Sequence, residues 1–338
     1  MSTTANAYAS RAPYSAPLNV FSGFYDRYVS EGYQDPTSFD HQLQTAARVP
    51  GLAGVELVGR SNVDDANLAQ VKRKIGSTPL KVTTIIADLW ARRLWQSGSL
   101  AAPDAKIRAS AKDEIRRSMD WAADLGSGMV SVWLGQDGYD YVFQADYDRA
   151  WTWLVEGMAE CAGHNRAVKL AIEYKIKEPR THCFVGTVGK TLLLIQACAA
   201  SNVGGMIDVG HALAAYENPA ESVALLHHFG KKLFYIHLND NWRLWDDDMM
   251  VGSVHIPEYI EFLYWLKRVN FGGWYAFDVY PYREDPAFII EESIKWTDSC
   301  IALLDDIGEA PIRAALERGT GAEALRLIRQ ALFPGRTK

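Results

Sequence analysis

The chain has 338 residues, 48% of them hydrophobic and 22% charged, with a net charge of -6 and a mean hydropathy of -0.14. Because nucleic acids and anionic membranes are themselves negative, we expect neither as a partner. No apolar stretch of about 18 residues occurs, so no membrane span is expected. The four cysteines form no C-x-x-C pair, which predicts reduced, partly buried thiols in a reducing compartment and hence a cytoplasmic protein.

Short apolar runs alternate with amphipathic stretches along almost the whole chain. In chain order, the predicted strands are 18–22, 54–58, 81–87, 129–134, 168–173, 204–208, 233–238 and 273–278. Apolar residues at spacings of three and four predict helices between them, as over 107–125, 146–161 and 222–228. Eight alternating units predict an α/β fold, a single (β/α)8 TIM barrel around a parallel sheet.

The barrel is predicted to span residues 17–306, between a flexible N-terminal arm over 1–16 and a C-terminal helical tail over 307–338. A doubly wound sheet is the rival architecture. That fold needs fewer strands and usually a glycine-rich phosphate turn, and the sequence has neither G-x-G-x-x-G nor a P-loop. The single barrel is therefore the preferred prediction.

Four of the predicted strands end in an acidic residue or a histidine. Such a side chain is costly beside an apolar run unless something pairs with it. Active sites of barrels form at the carboxyl ends of the strands, so the recurrence predicts one or two shared cations. Carboxylate oxygens and imidazole nitrogens suit Mg, Mn, Co or Zn. The candidate ligands at or just beyond these ends are Glu173, Asp208, His211, His237, Asp246, Asp248 and Asp278.

Each candidate ligand also has an ordinary structural interpretation. Glu173 could be a paired buried carboxylate, Asp208 a helix N-cap, and His237 a satisfied core histidine. The run Asp246-Asp-Asp248 could be a solvated acidic loop, which would leave a single metal site. The recurrence at successive strand ends is what favours metal ligands over these interpretations.

The residues around the candidate ligands resemble xylose isomerase and its relatives, which include rhamnose isomerase. The resemblance covers roughly residues 82–285, and its specificity lies in the order of the motifs rather than in any one of them. The motifs are Val82-Thr-Thr84 with Trp95-Gln-Ser-Gly98, Ala123-Asp-Leu-Gly126, Val132-Trp-Leu-Gly-Gln-Asp-Gly138, Ile172-Glu-Tyr-Lys175 with Glu178-Pro-Arg180 and Val188-Gly189, Asp208-Val-Gly-His211, His237-Leu-Asn239, Trp245-Asp-Asp-Asp248 with Gly252, and Asp278 with Pro281 and Arg283.

The resemblance implies a sugar isomerase with two divalent metal ions per subunit, Mn, Mg or Co. The first ion would bind Glu173, Asp208, His237 and Asp278. The second ion would bind Asp208, His211, Asp246 and Asp248. The implied reaction interconverts an aldose and a ketose by a hydride shift between C1 and C2. The first ion would polarise the carbonyl, and the second would activate a water that moves the hydroxyl proton.

The resemblance also implies roles for individual side chains around a small sugar substrate. The residues with implied catalytic roles are Glu173, Lys175, His211 and Asp278. The residues expected to contact the substrate are Trp95, Trp133, His182 and His237. Lys175 would donate a hydrogen bond to the carbonyl oxygen as charge builds there. Trp95 and Trp133 would form an apolar wall that excludes water. The family implies a homodimer or a homotetramer.

One departure from the family pattern keeps other functions open. The family's second strand ends in a His-Asp pair thought to open the sugar ring, whereas this chain reads Gly54-Val-Glu-Leu-Val-Gly-Arg60. Glu56, Arg60 and His182 are candidate substitutes, and none is favoured. The alternatives are a sugar epimerase, which would use two acids on opposite faces of the substrate, and a metal-dependent lyase or hydrolase acting on keto-glycosides. A non-catalytic sugar-binding barrel is less favoured, and the acidic pI disfavours the related metal-dependent endonucleases.

Overall fold

The computed structural model describes residues 13–24 and 28–336, and eight of its strands close into a barrel. The strands are β1 (Tyr14–Pro17), β2 (Leu52–Val58), β3 (Lys81–Ile86), β4 (Met129–Trp133), β5 (Gly138–Tyr139), β6 (Lys169–Glu173), β7 (His182–Cys183), β8 (Val203–Asp208), β9 (Leu233–Leu238) and β10 (Tyr275–Phe277). The barrel order is β1-β2-β3-β4-β6-β8-β9-β10, with β10 paired back onto β1 and all neighbours parallel. β5 and β7 form a separate antiparallel pair. The predicted single TIM barrel is confirmed.

Helices connect the strands around the outside of the barrel and extend beyond its last strand. They are α1 (Phe39–Arg48), α2 (Leu68–Gly76), α3 (Ala105–Leu125), α4 (Tyr147–His164), α5 (Val188–Cys198), α6 (Val209–Ala214), α7 (Pro219–His228), α8 (Ile256–Arg268), α9 (Pro286–Ile307), α10 (Glu309–Arg318) and α11 (Gly321–Leu332). The predicted helices over 107–125, 146–161 and 222–228 correspond to α3, α4 and α7. α3 begins where Asp104 accepts from the Lys106 amide, and it ends at Gly126, whose left-handed φ of 77° suits glycine.

The first strand was predicted at 18–22 and lies at Tyr14–Pro17 instead. Pro17 lacks an amide hydrogen, so it cannot continue the donor side of the ladder, and the chain turns into a 3-10 helix over Leu18–Phe21. The apolar residues of that turn are buried against α1. A short buried apolar run does not distinguish strand from helix, which is why the prediction was wrong. The barrel therefore starts inside the segment predicted to be the arm, and residues 1–12 of that arm lie outside the described residues.

The other seven predicted strands agree with the structure to within two residues at each end. Inside the barrel, one small apolar cluster packs across four neighbouring strands, and its members are Ala171, Met206, Tyr235 and Ala276. Side chains alternate along a strand, so a residue two positions later points to the same inner face. Those later residues are Glu173, Asp208, His237 and Asp278. Four of the predicted ligands therefore lie directly above this apolar cluster, on the inner face of the barrel.

The segment after the barrel is helical, as predicted, and forms α10 and α11, with α11 packed against α9. All four cysteines are buried and free, as the absence of paired spacings predicted. Within the part of the chain that the structure describes, no helix is long and apolar enough to cross a membrane.

Candidate metal centre

Four consecutive barrel strands bring four predicted ligands to one point. Glu173 is the last residue of β6, Asp208 is the last of β8, His237 is the fifth residue of β9, and Asp278 follows β10 directly. The register pairs Asp208 with His237, so these two side chains lie at one level of the barrel. Strand ends are fixed by the hydrogen-bond ladder on both sides, which makes this group rigid before any ligand binds.

The four side chains form a compact group, here named the first cluster (Glu173, Asp208, His237 and Asp278). One ligand atom from each lies within 4.8 Å of the others. Nδ1 of His237 is central, at 3.4 Å from Glu173 Oε1, 3.6 Å from Asp208 Oδ2 and 3.3 Å from Asp278 Oδ2. Three carboxylates around one imidazole nitrogen is a donor set that could hold a divalent cation.

A second group shares Asp208 and is named the second cluster (Asp208, His211 and Asp246), again with ligand atoms within 4.8 Å. Asp208 Oδ1 accepts a hydrogen bond from the His211 amide at 2.9 Å and so caps α6. His211 Nδ1 donates to the Tyr174 carbonyl at 3.0 Å, because a carbonyl can only accept. Nε2 of a neutral His211 is then the free acceptor, and it lies 3.1 Å from Asp246 Oδ2.

Lys175 sits beside the second cluster rather than the first. Its Nζ lies 2.5 Å from Asp246 Oδ2 and 3.1 Å from Glu178 Oε2, and it stands 5.3 Å from the centre of the Trp133 ring. Burial lowers the pKa of Lys175, but Asp246 and Glu178 outweigh burial and leave the pKa raised. A fixed ammonium therefore points into the site from the loop after β6.

The carboxylates of the two clusters also raise the pKa of both imidazoles. Burial lowers the pKa of His211, but Asp208 and Asp246 raise it, and the result is about 9. Burial also lowers the pKa of His237, while the surrounding carboxylates, Glu56 foremost, raise it well above its usual value. The clusters thus create a negative potential that attracts protons, and a divalent cation would satisfy the same potential.

Three buried atoms test whether the residues present fit metal ions. His237 Nδ1, Asp246 Oδ1 and Asp278 Oδ1 have no hydrogen-bond partner. Leaving a buried polar atom unsatisfied costs about 1–3 kcal/mol, so three within the two clusters need an explanation. Each atom belongs to one of the two clusters and is a usual ligand atom for divalent metals. The residues fit a metal centre.

Asp248 is the predicted ligand that the structure keeps outside both clusters. Its Oδ1 accepts a hydrogen bond from Asn239 Nδ2 at 3.2 Å, and its backbone has a left-handed φ of 46°. Burial and the charges of Asp246, Asp278 and Asp208 raise its pKa well above the usual value. The ligand role of Asp248 stays a prediction.

The clusters lie at the bottom of a cleft of about 310 Å³, at the lower end of the range for ligand pockets. Aromatic side chains line its walls: Trp90, Trp133, Trp245, Tyr280 and Tyr282. Trp133 was predicted on this wall and lies there, and Trp90 packs edge-on against it with ring centres 5.4 Å apart. A small polar ligand would enter a largely aromatic enclosure with the carboxylates beneath it.

Two predicted substrate contacts lie elsewhere. Trp95 is fully buried in the core, with the Arg92 guanidinium 4.9 Å from its ring centre, and does not line the cleft. Trp90 lines the cleft instead, because it follows the end of β3 by only four residues. This closeness to a strand end was the feature of the sequence that could have identified Trp90 as a cleft residue. His182 lies in the small β5–β7 sheet, where it is exposed and stacks on Tyr139 at 4.7 Å, away from the cleft-lining residues.

The three candidate substitutes for the ring-opening pair separate in the structure. Arg60 forms an ion pair with Glu114 at 3.0 Å, and His182 lies in the small sheet. Glu56, in contrast, is fully buried inside the barrel with both oxygens 3.1 Å from His237 Nε2. Glu56 was one of three candidate substitutes in the sequence, and none of the three was favoured. Its position on β2, on the inner face that carries the site, was the feature of the sequence that could have indicated a role in the site.

Comparisons with known proteins agree with this architecture. A xylose isomerase from Thermus thermophilus is 28% identical over 263 residues, covering 74% of this chain and 67% of that protein. A solved D-allulose 3-epimerase from Methylomonas sp. is 15% identical and covers 85% of this chain and 96% of its own, with a TM-score of 0.65. A 3-keto-D-glucoside 4-epimerase from E. coli is 17% identical, covers 78% and 95%, and has a TM-score of 0.62.

The two solved structures share the barrel at low identity and so support the fold alone. The family described as xylose isomerase-like TIM barrel matches residues 43–300, which include every residue of both clusters. The chain belongs to the xylose isomerase-like TIM barrel family.

Proposed function

We propose that this protein is a divalent-metal-dependent isomerase that interconverts an aldose and a ketose. The observation that supports this most is the pair of clusters joined at Asp208, because two adjacent cations suit a reaction that acts on two neighbouring oxygens. The cleft of about 310 Å³ favours a monosaccharide. The similarity to a xylose isomerase points the same way.

The first cluster would hold one ion and the second cluster the other, with Asp208 bridging and Asp248 completing the second site. Divalent cations, when bound, supply Lewis-acid polarisation of the sugar carbonyl and of the neighbouring hydroxyl. Mn, Mg and Co all suit this mixture of carboxylate and imidazole ligands. The protein's own residues then have to bind, orient and protect the substrate.

Lys175 would stabilise the oxygen that gains charge. In the proposed reaction, hydrogen moves with its electron pair from C2 to C1 of the aldose, so C2 is oxidised to the ketone and C1 is reduced. The hydroxyl proton passes from O2 to O1, which balances the charge. The ammonium of Lys175 is held at the second cluster by Asp246 and Glu178 and would donate to the carbonyl oxygen.

The aromatic walls would keep water from the migrating hydrogen. Trp90 and Trp133 pack edge-on at the side of the cleft above the clusters. Their apolar faces suit the carbon face of a sugar, while its hydroxyls would face the polar floor. Excluding water favours direct transfer of this hydrogen between the two carbons over its exchange with solvent.

A sugar epimerase is the second candidate, and a specific observation supports it. The first cluster is assembled from strand ends alone, whereas Lys175 already pairs with Asp246 of the second. An enzyme with one ion in the first cluster could use Glu173 and Asp278 as acid and base on opposite faces of a substrate. Without a cation, burial raises the pKa of Asp278 to about 6 against the opposing effect of His237.

Proton NMR in D2O separates these reactions. The protein would be stripped with a chelator, restored with Mn2+ for turnover, and given a panel of aldoses, ketoses and keto-glycosides, with the product purified before spectra are recorded. Aldose–ketose conversion that retains the migrating hydrogen supports the proposal. Deuterium at an inverted carbon would assign the epimerase instead, and glycoside cleavage would assign a lyase or hydrolase. The metal-free protein is the control.

A further inference from the structure

We propose that Glu56 is a positioning residue that acts through His237 and holds Nδ1 of this imidazole toward a metal ion in the first cluster. The inference rests on the metal centre of the proposed function, but not on which sugar reaction occurs there. It assigns a role to a buried acid that lies on β2, across the barrel from His237 on β9.

The hydrogen-bond geometry determines which imidazole nitrogen can bind a cation. Both carboxylate oxygens of Glu56 lie 3.1 Å from His237 Nε2. An ionised carboxylate can only accept, so Nε2 carries the hydrogen, and a neutral His237 keeps its lone pair on Nδ1. Nδ1 is the atom surrounded by the three carboxylates of the first cluster, and it has no hydrogen-bond partner.

Glu56 is itself held in place. The Tyr235 hydroxyl lies 3.1 Å from Glu56 Oε1, 2.7 Å from Thr83 Oγ1 and 3.1 Å from Ser15 Oγ. This polar layer crosses the barrel interior, where bulky apolar side chains usually pack. Tyr235 precedes His237 by two residues on the same inner face, so one strand supplies both the support and the ligand.

A purely structural role does not explain this acid well. Glu56 is completely buried, and His237 is its one ion-pair partner among the described residues. An apolar side chain at this position would avoid the desolvation of a carboxylate, because buried ion pairs contribute little net stability. The carboxylate is explained if it fixes the ring and increases its basicity toward a cation.

The test is Mn2+ affinity by isothermal titration, without any sugar. All variants would carry Asp246→Asn, which removes a ligand of the second cluster only, so that the remaining binding event reports on the first cluster. In this background, Glu56→Gln should raise the dissociation constant about 10–100-fold, as for other residues that orient metal-bound histidines. The matched control is Glu114→Gln. Glu114 is also a buried acid, but it pairs with Arg60 and Arg92 on the outside of the barrel and should leave the affinity unchanged.

A double-mutant cycle separates action through His237 from general loss of structure. In a protein that already carries His237→Asn, Glu56→Gln should cost no further affinity. A full additional loss there, or an affinity within twofold of the parent in the first comparison, overturns the inference. If Glu56→Gln does not fold, Glu56→Asp carries the test, because the shorter carboxylate withdraws from Nε2 and should weaken only the first cluster. If the unsubstituted protein shows no isomerase turnover while Glu56→Gln still lowers the Mn2+ affinity, this inference is kept and the proposed reaction is rejected.

Discussion

The two clusters share Asp208 but are built differently. The first cluster takes each ligand from a strand end or the residue after it, on four strands that are neighbours in the barrel. The second takes Asp246 from the loop between β9 and α8, and this side chain already pairs with Lys175 at 2.5 Å. One site is therefore fixed by the sheet, and the other depends on a loop and on a competing ammonium.

This difference predicts that the two clusters bind cations with different affinities. A cation in the first cluster meets ligands that need little rearrangement, so we expect it to bind more tightly. A cation in the second cluster has to share Asp246 with Lys175, so we expect weaker binding and easier exchange. Lys175 would then meet the substrate at the second cluster, beside the more weakly held cation.

The largest effect is expected from the shared ligand. Asp208→Asn weakens both clusters at once, and turnover should fall by about 10³-fold, because metal ions contribute several kcal/mol to such reactions. Metal content per subunit, measured by atomic emission after gel filtration, should fall below one. Metal content of two with unchanged turnover would contradict the shared site.

A matched control for this substitution is Asp137→Asn. Asp137 is equally buried, but it accepts hydrogen bonds from the backbone of residues 99–101 and belongs to neither cluster. This variant should lose stability and keep its metal content. Loss of metal from both proteins would indicate general unfolding instead of a ligand effect.

An intermediate effect is expected from the competing ammonium. Lys175→Met removes the proposed donor to the carbonyl oxygen, and kcat should fall about 10²-fold with KM changed only a few-fold. Affinity at the second cluster should be retained or should increase, since Asp246 loses its competing cation. Steady-state kinetics and metal titration together check both statements.

The control for Lys175 lies two residues away. Lys177 is half-buried, donates to the Leu244 carbonyl and belongs to neither cluster, so Lys177→Met should leave kcat unchanged. If Lys175→Met raises KM and spares kcat, then Lys175 binds the substrate without stabilising the reaction.

The smallest effects separate the cleft wall from the core. Trp90→Phe should raise KM about two- to tenfold, as expected for losing part of an aromatic contact of about 0.5–1.5 kcal/mol, with little change in Tm. Trp95→Phe should instead lower stability by about 1–3 kcal/mol and leave KM unchanged, because Trp95 is buried in the core. If Trp95→Phe raised KM and Trp90→Phe lowered only the stability, Trp95 would be the substrate contact after all.

The sequence was sufficient for those parts of the site that strands position. A charged residue or histidine that ends an apolar strand lies at the carboxyl end of the barrel, where active sites form. Glu173, Asp208 and His237 were therefore predictable from the pattern alone. Asp248 and Trp95 were not, because loop conformation decides where such side chains point. The first strand was missed because Leu18–Phe21 is apolar but forms a 3-10 turn. The partner of Glu56 could not be inferred, since it lies 181 residues away.

The most direct test of the two-cluster account is an anomalous difference map from crystals grown with Mn2+. Two peaks are expected in each subunit, one among Glu173, Asp208, His237 and Asp278 and one beside His211 and Asp246. As the Mn2+ concentration is lowered, the peak in the second cluster should weaken before the peak in the first cluster. A single peak in the first cluster at every concentration would contradict the two-metal centre and favour the epimerase.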